Sequence, residues 1–143
     1  MVPDRVAGMK EKNTLWCPVR KKCIADRPEE RIRLRVIEYL RACGYPLTAM
    51  QVEYMVGRAG RFDLAVFTPK GDIWLLIECK QDAPSKDSLQ AVMRARLQLM
   101  RYARAIEKRW RVHYLGIVIG ERFYCLEHST GRWLQGIPSY PAL

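Results

Sequence analysis

The hydrophobic pattern of this chain predicts an α/β domain, with a central mixed sheet flanked by two helices in the order α-β-β-β-α-β-β. Three observations lead there. Apolar residues recur at helical spacing in Pro28 to Ala42, change to strand-like runs between Met50 and Lys80, and return to helical spacing from about Ser88 to Arg109. Two further strand-like runs close the pattern, Val112 to Ile119 and Phe123 to Glu127 around Gly120-Glu121. Glycine and proline fall at the changes of period, where turns are needed.

Residues 1–27 carry seven Lys/Arg against three acids, broken by Pro3, Gly8 and Pro18, and read as an arm or a short strand pair around Leu15 to Ile24. Asp26 can cap the first helix, whose early positions are Pro28, Glu29 and Glu30: proline gives up only an orphan donor there, and acids favour the positive end of the dipole. Ile32, Val36, Leu40 and Cys43 form its apolar stripe, so Arg31, Arg33, Arg35 and Arg41 are expected to point mostly outward. Gly44 suits a left-handed cap and Pro46 follows it.

Gln51 to Val56, Phe62 to Thr68 and Ile73 to Lys80 then read as an antiparallel meander, separated by Gly57 to Arg61 and by Pro69-Lys70-Gly71-Asp72. Asp87 or Ser88 opens the second helix, with Leu89, Val92, Met93, Leu97, Met100, Ala103 and Ile106 as its expected buried stripe. The domain is expected to span residues 28–135, followed by an irregular tail at 136–143 with two prolines.

At 143 residues the chain fits one domain with its own core. No apolar run approaches the roughly 18 residues of a membrane span, and Met1 to Lys12 lacks the apolar core of a signal peptide, so a cytoplasmic location is expected. Cys17, Cys23, Cys43, Cys79 and Cys125 show no short paired spacing of the zinc-site kind and read as reduced thiols. A formal charge of +10 implies attraction to a polyanion, through release of counterions from each neutralised phosphate. A merely soluble basic surface has the same charge.

The chemistry concentrates in the meander. Ile73 to Ile77 is apolar without alternation, as in a strand buried on both faces, and becomes polar only at Glu78-Cys79-Lys80. Side chains alternate along a strand, so Glu78 and Lys80 share one face. If the turn pairs Thr68 with Ile73, counting outward sets Asp63 opposite Glu78. Two carboxylates and a main-chain carbonyl, that of Cys79, make a hard-oxygen set suited to Mg²⁺ or Mn²⁺, with Lys80 beside it to orient water or offset developing charge. A salt-bridged surface cluster has the same composition, and an E-x-K triplet alone is common.

Several short runs occur together in order: Trp16-Cys17-Pro18-Val19-Arg20-Lys21-Lys22, Pro28-Glu29-Glu30-Arg31-Ile32-Arg33, Gly44-Tyr45-Pro46, Glu53, Arg61-Phe62-Asp63, Glu78-Cys79-Lys80, and Gln98 with Tyr102. In these the sequence resembles the PD-(D/E)xK nuclease superfamily, and more closely the N-terminal nuclease domain of type I restriction enzyme R subunits. The likeness spans roughly residues 15–127. It implies a restriction-endonuclease-like core and a metal-dependent phosphodiesterase, in which Asp63 and Glu78 hold Mg²⁺ and Lys80 serves the attacking water. It also implies a Q-x-x-x-Y motif at Gln98 and Tyr102, which share a helix face at i and i+4. Glu30 would be a third acid near the metal, although stabilisation of a helix N-terminus explains it equally well.

Phe62 stands in place of the proline in the superfamily's name, and Cys17 where close relatives often have aspartate. No G-x-x-x-x-G-K-[ST] loop occurs, so the chain is not expected to be a complete type I enzyme.

Candidate nucleic-acid contacts follow from charge. Lys86 to Arg111 holds eight Lys/Arg against Asp87 and Glu107, and Arg94, Arg101, Arg104, Lys108 and Arg111 fall largely off the apolar stripe. Arg58 and Arg61 precede Asp63 directly. Trp16, Trp110 and Trp133 can stack on bases, although large aromatics also serve as core. His113 and His128 read as strand residues. The expected function is a Mg²⁺-dependent nuclease acting on DNA, alone or with a protein partner. The alternatives are a non-catalytic nucleic-acid-binding module of the same fold, possible as a subunit of a larger restriction or repair assembly, and a basic structural protein.

Overall fold

A five-stranded mixed sheet runs through the domain in the order β3-β4-β5-β6-β7, formed by Met50–Val56, Gly60–Phe67, Ile73–Lys80, Val112–Ile119 and Arg122–Glu127. Ahead of it lie a hairpin of β1 (Thr14–Cys17) and β2 (Lys22–Ala25) and helix α1 (Pro28–Ala42), and α2 (Ser88–Ile106) joins β5 to β6. The structure is a computed structural model that describes residues 13–56, 60–80 and 88–142. The α/β class and the core order α-β-β-β-α-β-β are those the periodicity predicts.

Neighbouring strands are antiparallel except β5 and β6, which run parallel. A parallel pair needs a crossover, and α2 supplies it. Each helix covers one face of the sheet. Phe62, Ala65, Leu76, Leu115 and Ile117 pack with Val92, Ala95, Leu99 and Ala103 of α2. Leu64, Val66, Leu75, Ile77 and Val118 pack with Val36, Ile37 and Leu40 of α1 and with Cys17 and Ile24 of the hairpin. With both faces covered, β5 has to be apolar on both sides, as its sequence is.

Helix α1 ends in a Schellman motif. Tyr45 N–H donates to Leu40 carbonyl at 3.0 Å and Gly44 N–H to Arg41 carbonyl at 2.9 Å, with Gly44 at φ 93°, a conformation that side chains with a Cβ disfavour. Its start differs from expectation. Arg27 is the N-cap and no side chain caps the helix; Asp26 instead accepts two hydrogen bonds from Arg31, at 2.6 and 2.9 Å. A forked guanidinium one turn away offers two charge-assisted bonds where a cap offers one weaker bond.

Two assignments of faces are corrected. Arg33 does not point outward: it is 4% exposed. It stands at i−3, i−4 and i−7 from Val36, Ile37 and Leu40, so helical geometry sets it on the buried stripe. On α2 the buried stripe is Val92, Ala95, Leu99, Ala103 and Ile106, whereas Leu89, Met93 and Leu97 are 72%, 40% and 61% exposed. Small alanines let the helix approach the sheet, so the face that packs is not the most hydrophobic one. The helix also stops at Ile106, where Arg109 and Trp110 N–H groups both return to its carbonyl.

His113 lies in β6, but His128 lies in the turn after β7, its ring 3.3 Å from Glu107. The five cysteines are all free. The described residues beyond 135, 136–142, form no helix or strand, yet Tyr140 donates to Phe67 carbonyl at 2.7 Å and Tyr45 donates to Pro138 carbonyl at 2.6 Å, which ties this segment to the core. No helix among the described residues is long and apolar enough to cross a membrane.

Candidate active site

The β4–β5 ladder pairs Leu64 with Ile77, and one further step sets Asp63 opposite Glu78. The turn end is not as counted from the sequence, because Phe67 and not Thr68 pairs with Ile73. A bulge next to Val66 absorbs the extra residue, so the register at the far end is the one expected. On the other side of Asp63 the β3–β4 ladder runs Val52 to Leu64 and Tyr54 to Phe62, and between them Glu53 has φ 55°, a left-handed conformation rare for a non-glycine residue in a strand.

Both Asp63 oxygens are held. Arg33 Nη2 donates to Oδ1 at 2.8 Å and the Cys79 backbone N–H donates to Oδ2 at 2.7 Å. The second arm of the Arg33 fork, Nη1, donates to Glu30 Oε1 at 2.7 Å, and the same oxygen accepts from Arg20 Nη2 at 2.6 Å. Arg20, in the turn of the N-terminal hairpin, also comes within 3.6 Å of Glu53. On the far side, Lys80 Nζ lies 3.1 Å from Glu78 Oε2.

These groups form a chain of charges that alternates in sign except at one point. Glu53, Arg20, Glu30, Arg33 and Asp63 alternate; Asp63 then faces Glu78, and Lys80 ends the series. Within this series, among the described residues, three cations meet four carboxylates, and the like-charge neighbours are Asp63 and Glu78. Burial pushes the Glu78 carboxyl above its ordinary pKa, the Asp63 charge pushes it the same way, and Lys80 offsets this only in part. Glu30 behaves oppositely: burial alone would raise it, but Arg20 and Arg33 outweigh burial and hold it below the usual range. Cys79 is a neutral thiol, its pKa driven up by burial, so it has a main-chain carbonyl and no thiolate to offer a cation.

The donor set fits a hard divalent ion. Two adjacent carboxylates that repel each other are relieved by a cation, and a carboxylate oxygen that accepts one hydrogen bond keeps a lone pair for coordination. Among the described residues no three acidic, histidine or cysteine side chains meet as a ligand set. The remaining positions would therefore fall to the Cys79 carbonyl, water and phosphate oxygens. Glu30 is joined to Asp63 through Arg33 and is already the acceptor of two guanidinium groups.

Gln98 and Tyr102 lie on α2, 3.3 Å apart, and the Tyr102 ring stands edge-on to Phe62, the residue before Asp63. Among the described residues neither bonds to a site carboxylate. Arg94, Arg101 and Arg104 are exposed on α2 and, at seven- and three-residue spacing, share one side of it; Lys108 is exposed in the turn that follows the helix. Arg58 lies outside the described residues, and of Arg61 only the backbone, in β4, is described. Trp16 is exposed, Trp110 packs on the core, and Trp133 carries Arg96 over its ring at 5.3 Å.

Arg33 and Arg20 are the site residues that composition and motif reading miss. Arg33 is legible in principle, since a charge at a core position of an amphipathic helix needs a buried partner. Arg20 is not, because only the folded hairpin turn brings it to Glu30.

Comparison with curated proteins gives no match to this chain. The sequence does match the family described as type I restriction enzyme R protein N terminus (HSDR_N), over residues 28–138. That interval begins at the first residue of α1 and contains Arg33, Asp63, Glu78, Lys80, Gln98 and Tyr102. The chain therefore belongs to the family of type I restriction enzyme R protein N-terminal domains.

Proposed function

We propose that this domain is a metal-dependent nuclease that hydrolyses phosphodiester bonds of DNA. The observation that carries the reading is the single like-charge pairing, Asp63 against Glu78, in a chain of charges that otherwise alternates. Membership of the family ties the chain to a nuclease-related role in restriction, which supports the same reading.

In this reading Asp63, Glu78 and the Cys79 carbonyl would hold Mg²⁺ or Mn²⁺, and Glu30 would act on Asp63 through Arg33. A bound divalent ion supplies a Lewis acid at the phosphoryl oxygen and lowers the pKa of water. Lys80, partly exposed beside Glu78, orients the attacking water and offsets charge that develops on the phosphoryl group. Gln98 and Tyr102 border the site from α2, and Arg58, Arg61, Arg94, Arg101 and Arg104 are the proposed contacts to the DNA backbone. Within a larger restriction assembly, partner subunits would deliver the DNA.

The test is cleavage of supercoiled plasmid by purified protein with Mg²⁺ or Mn²⁺. Asp63→Asn, Glu78→Gln and Lys80→Ala should each lower the rate by about 10²-fold or more, as removal of a single transition-state interaction does. Equal cleavage by all three variants would defeat the reading. A non-catalytic DNA-binding module is favoured by one observation, the exposed basic stripe of α2. It would retain DNA at low salt without metal-dependent product.

A further inference from the structure

We propose that Arg33 is the positioning residue of the metal site: it fixes the Asp63 carboxylate for the cation and so raises metal affinity despite its own positive charge. The inference rests on the metal-dependent reading above and extends it to a residue that touches neither metal nor substrate.

Three features of the geometry point to this role. First, the guanidinium is nearly inaccessible, so its charge is directed at its two protein partners and not at a phosphate. Second, its planar fork spans Glu30 and Asp63 at 2.7 and 2.8 Å, a double grip that the single ammonium of lysine does not reproduce. Third, its Nε is buried and finds no hydrogen-bond partner among the described residues. Among the described residues, both side-chain bonds that the guanidinium makes are therefore to carboxylates.

The support behind the fork is equally rigid. Glu30 is also held by Arg20, which donates to the same oxygen, and both Glu30 and Arg33 stand on α1, a helix packed on the sheet. Asp63 is held at Oδ1 by this assembly and at Oδ2 by the Cys79 amide, so turning its carboxylate away from Glu78 would break both bonds. Outer partners of metal ligands act in this way, and their loss commonly weakens metal binding about 10- to 100-fold.

The role has a sign that separates it from simple electrostatics. A cation beside a metal ligand repels the metal, so if Arg33 were only a neighbouring charge its removal would tighten binding. If it positions Asp63, removal loosens binding.

The experiment measures Mn²⁺ affinity of the full chain without DNA, by the electron paramagnetic resonance signal of free Mn²⁺, together with urea unfolding midpoints. Wild type should bind, and Asp63→Asn should lose binding. Arg33→Lys and Arg33→Met should bind about 10-fold more weakly or worse, and Glu30→Gln, which loosens the fork without deleting it, several-fold more weakly. If Arg33→Met fails to fold, Arg33→Lys and Glu30→Gln carry the test. Binding lost in Asp63→Asn but unchanged or tighter in the folded Arg33 and Glu30 variants, whatever their urea midpoints, overturns the positioning role alone. Absence of Mn²⁺ binding by wild type, or equal binding by Asp63→Asn, overturns the metal-dependent reading beneath it.

Discussion

Replacing Glu78 by glutamine should stabilise the metal-free protein and at the same time abolish its stabilisation by metal. The Glu78 side chain is only 12% exposed and within hydrogen-bonding reach of Asp63. Two carboxylates about 4 Å apart repel by ~4 kcal/mol at an effective dielectric constant of ~20. Lys80 recovers part of this at 3.1 Å, but it is 43% exposed and screened, so its share is discounted to about 1 kcal/mol. Relaxation of the two side chains takes up more, and a net gain of about 1–2 kcal/mol is expected for the neutral amide, or ~3–8 °C in Tm for a domain of this size. The pH dependence follows from the raised Glu78 pKa. Folding favours the protonated carboxyl, so wild-type stability should fall as pH rises from the unfolded carboxylate value through the higher folded one, and the variant should lack that decline. Metal reverses the order. At a Mn²⁺ concentration tenfold above its Kd, wild type gains about 1.4 kcal/mol and the variant nothing. Thermal melts in EDTA and in Mn²⁺, across pH 4 to 8, measure both effects. A variant less stable than wild type in EDTA, or one that gains equally from Mn²⁺, would refute the reasoning.

The corrected stripe of α2 predicts a contrast between neighbours: Leu99→Ala should cost about 2–5 kcal/mol and Leu97→Ser less than about 0.5 kcal/mol in urea unfolding, with the reverse ranking contradicting the packing described. Substitution of Arg94, Arg101 and Arg104 by alanine should make the slope of log K against log salt for duplex DNA shallower by about 0.9 for each phosphate no longer neutralised, while a solvated helix face would leave it unchanged.

Much of this architecture is legible in the chain itself, and what is not has identifiable causes. The bounds of α1 follow from Pro28 at the first helical position and Gly44 just past the last, both local steric rules. The facing of Asp63 and Glu78 follows from counting along two strands, and it survives a bulge near Val66 because the turn end shifts by the same residue. Arg33 is misplaced when its charge is weighed above its position, although the Val36, Ile37 and Leu40 periodicity sets it inside. Ala95 and Ala103 rank below Met93 and Leu97 in hydrophobicity, yet close approach to the sheet favours small residues. Partners distant in sequence, such as Arg20 with Glu30, carry no local pattern and emerge only with the hairpin folded.

Asp63 and Glu78 are held together, on this reading, to bind a divalent cation, and anomalous scattering from a Mn²⁺-soaked crystal measures this most directly. The expected result is a single strong peak coordinated by one oxygen of Asp63 and one of Glu78, with Arg33 still bonded to Asp63. No peak there, with the two carboxyl groups bridged by a proton at the same Mn²⁺ concentration, would contradict it.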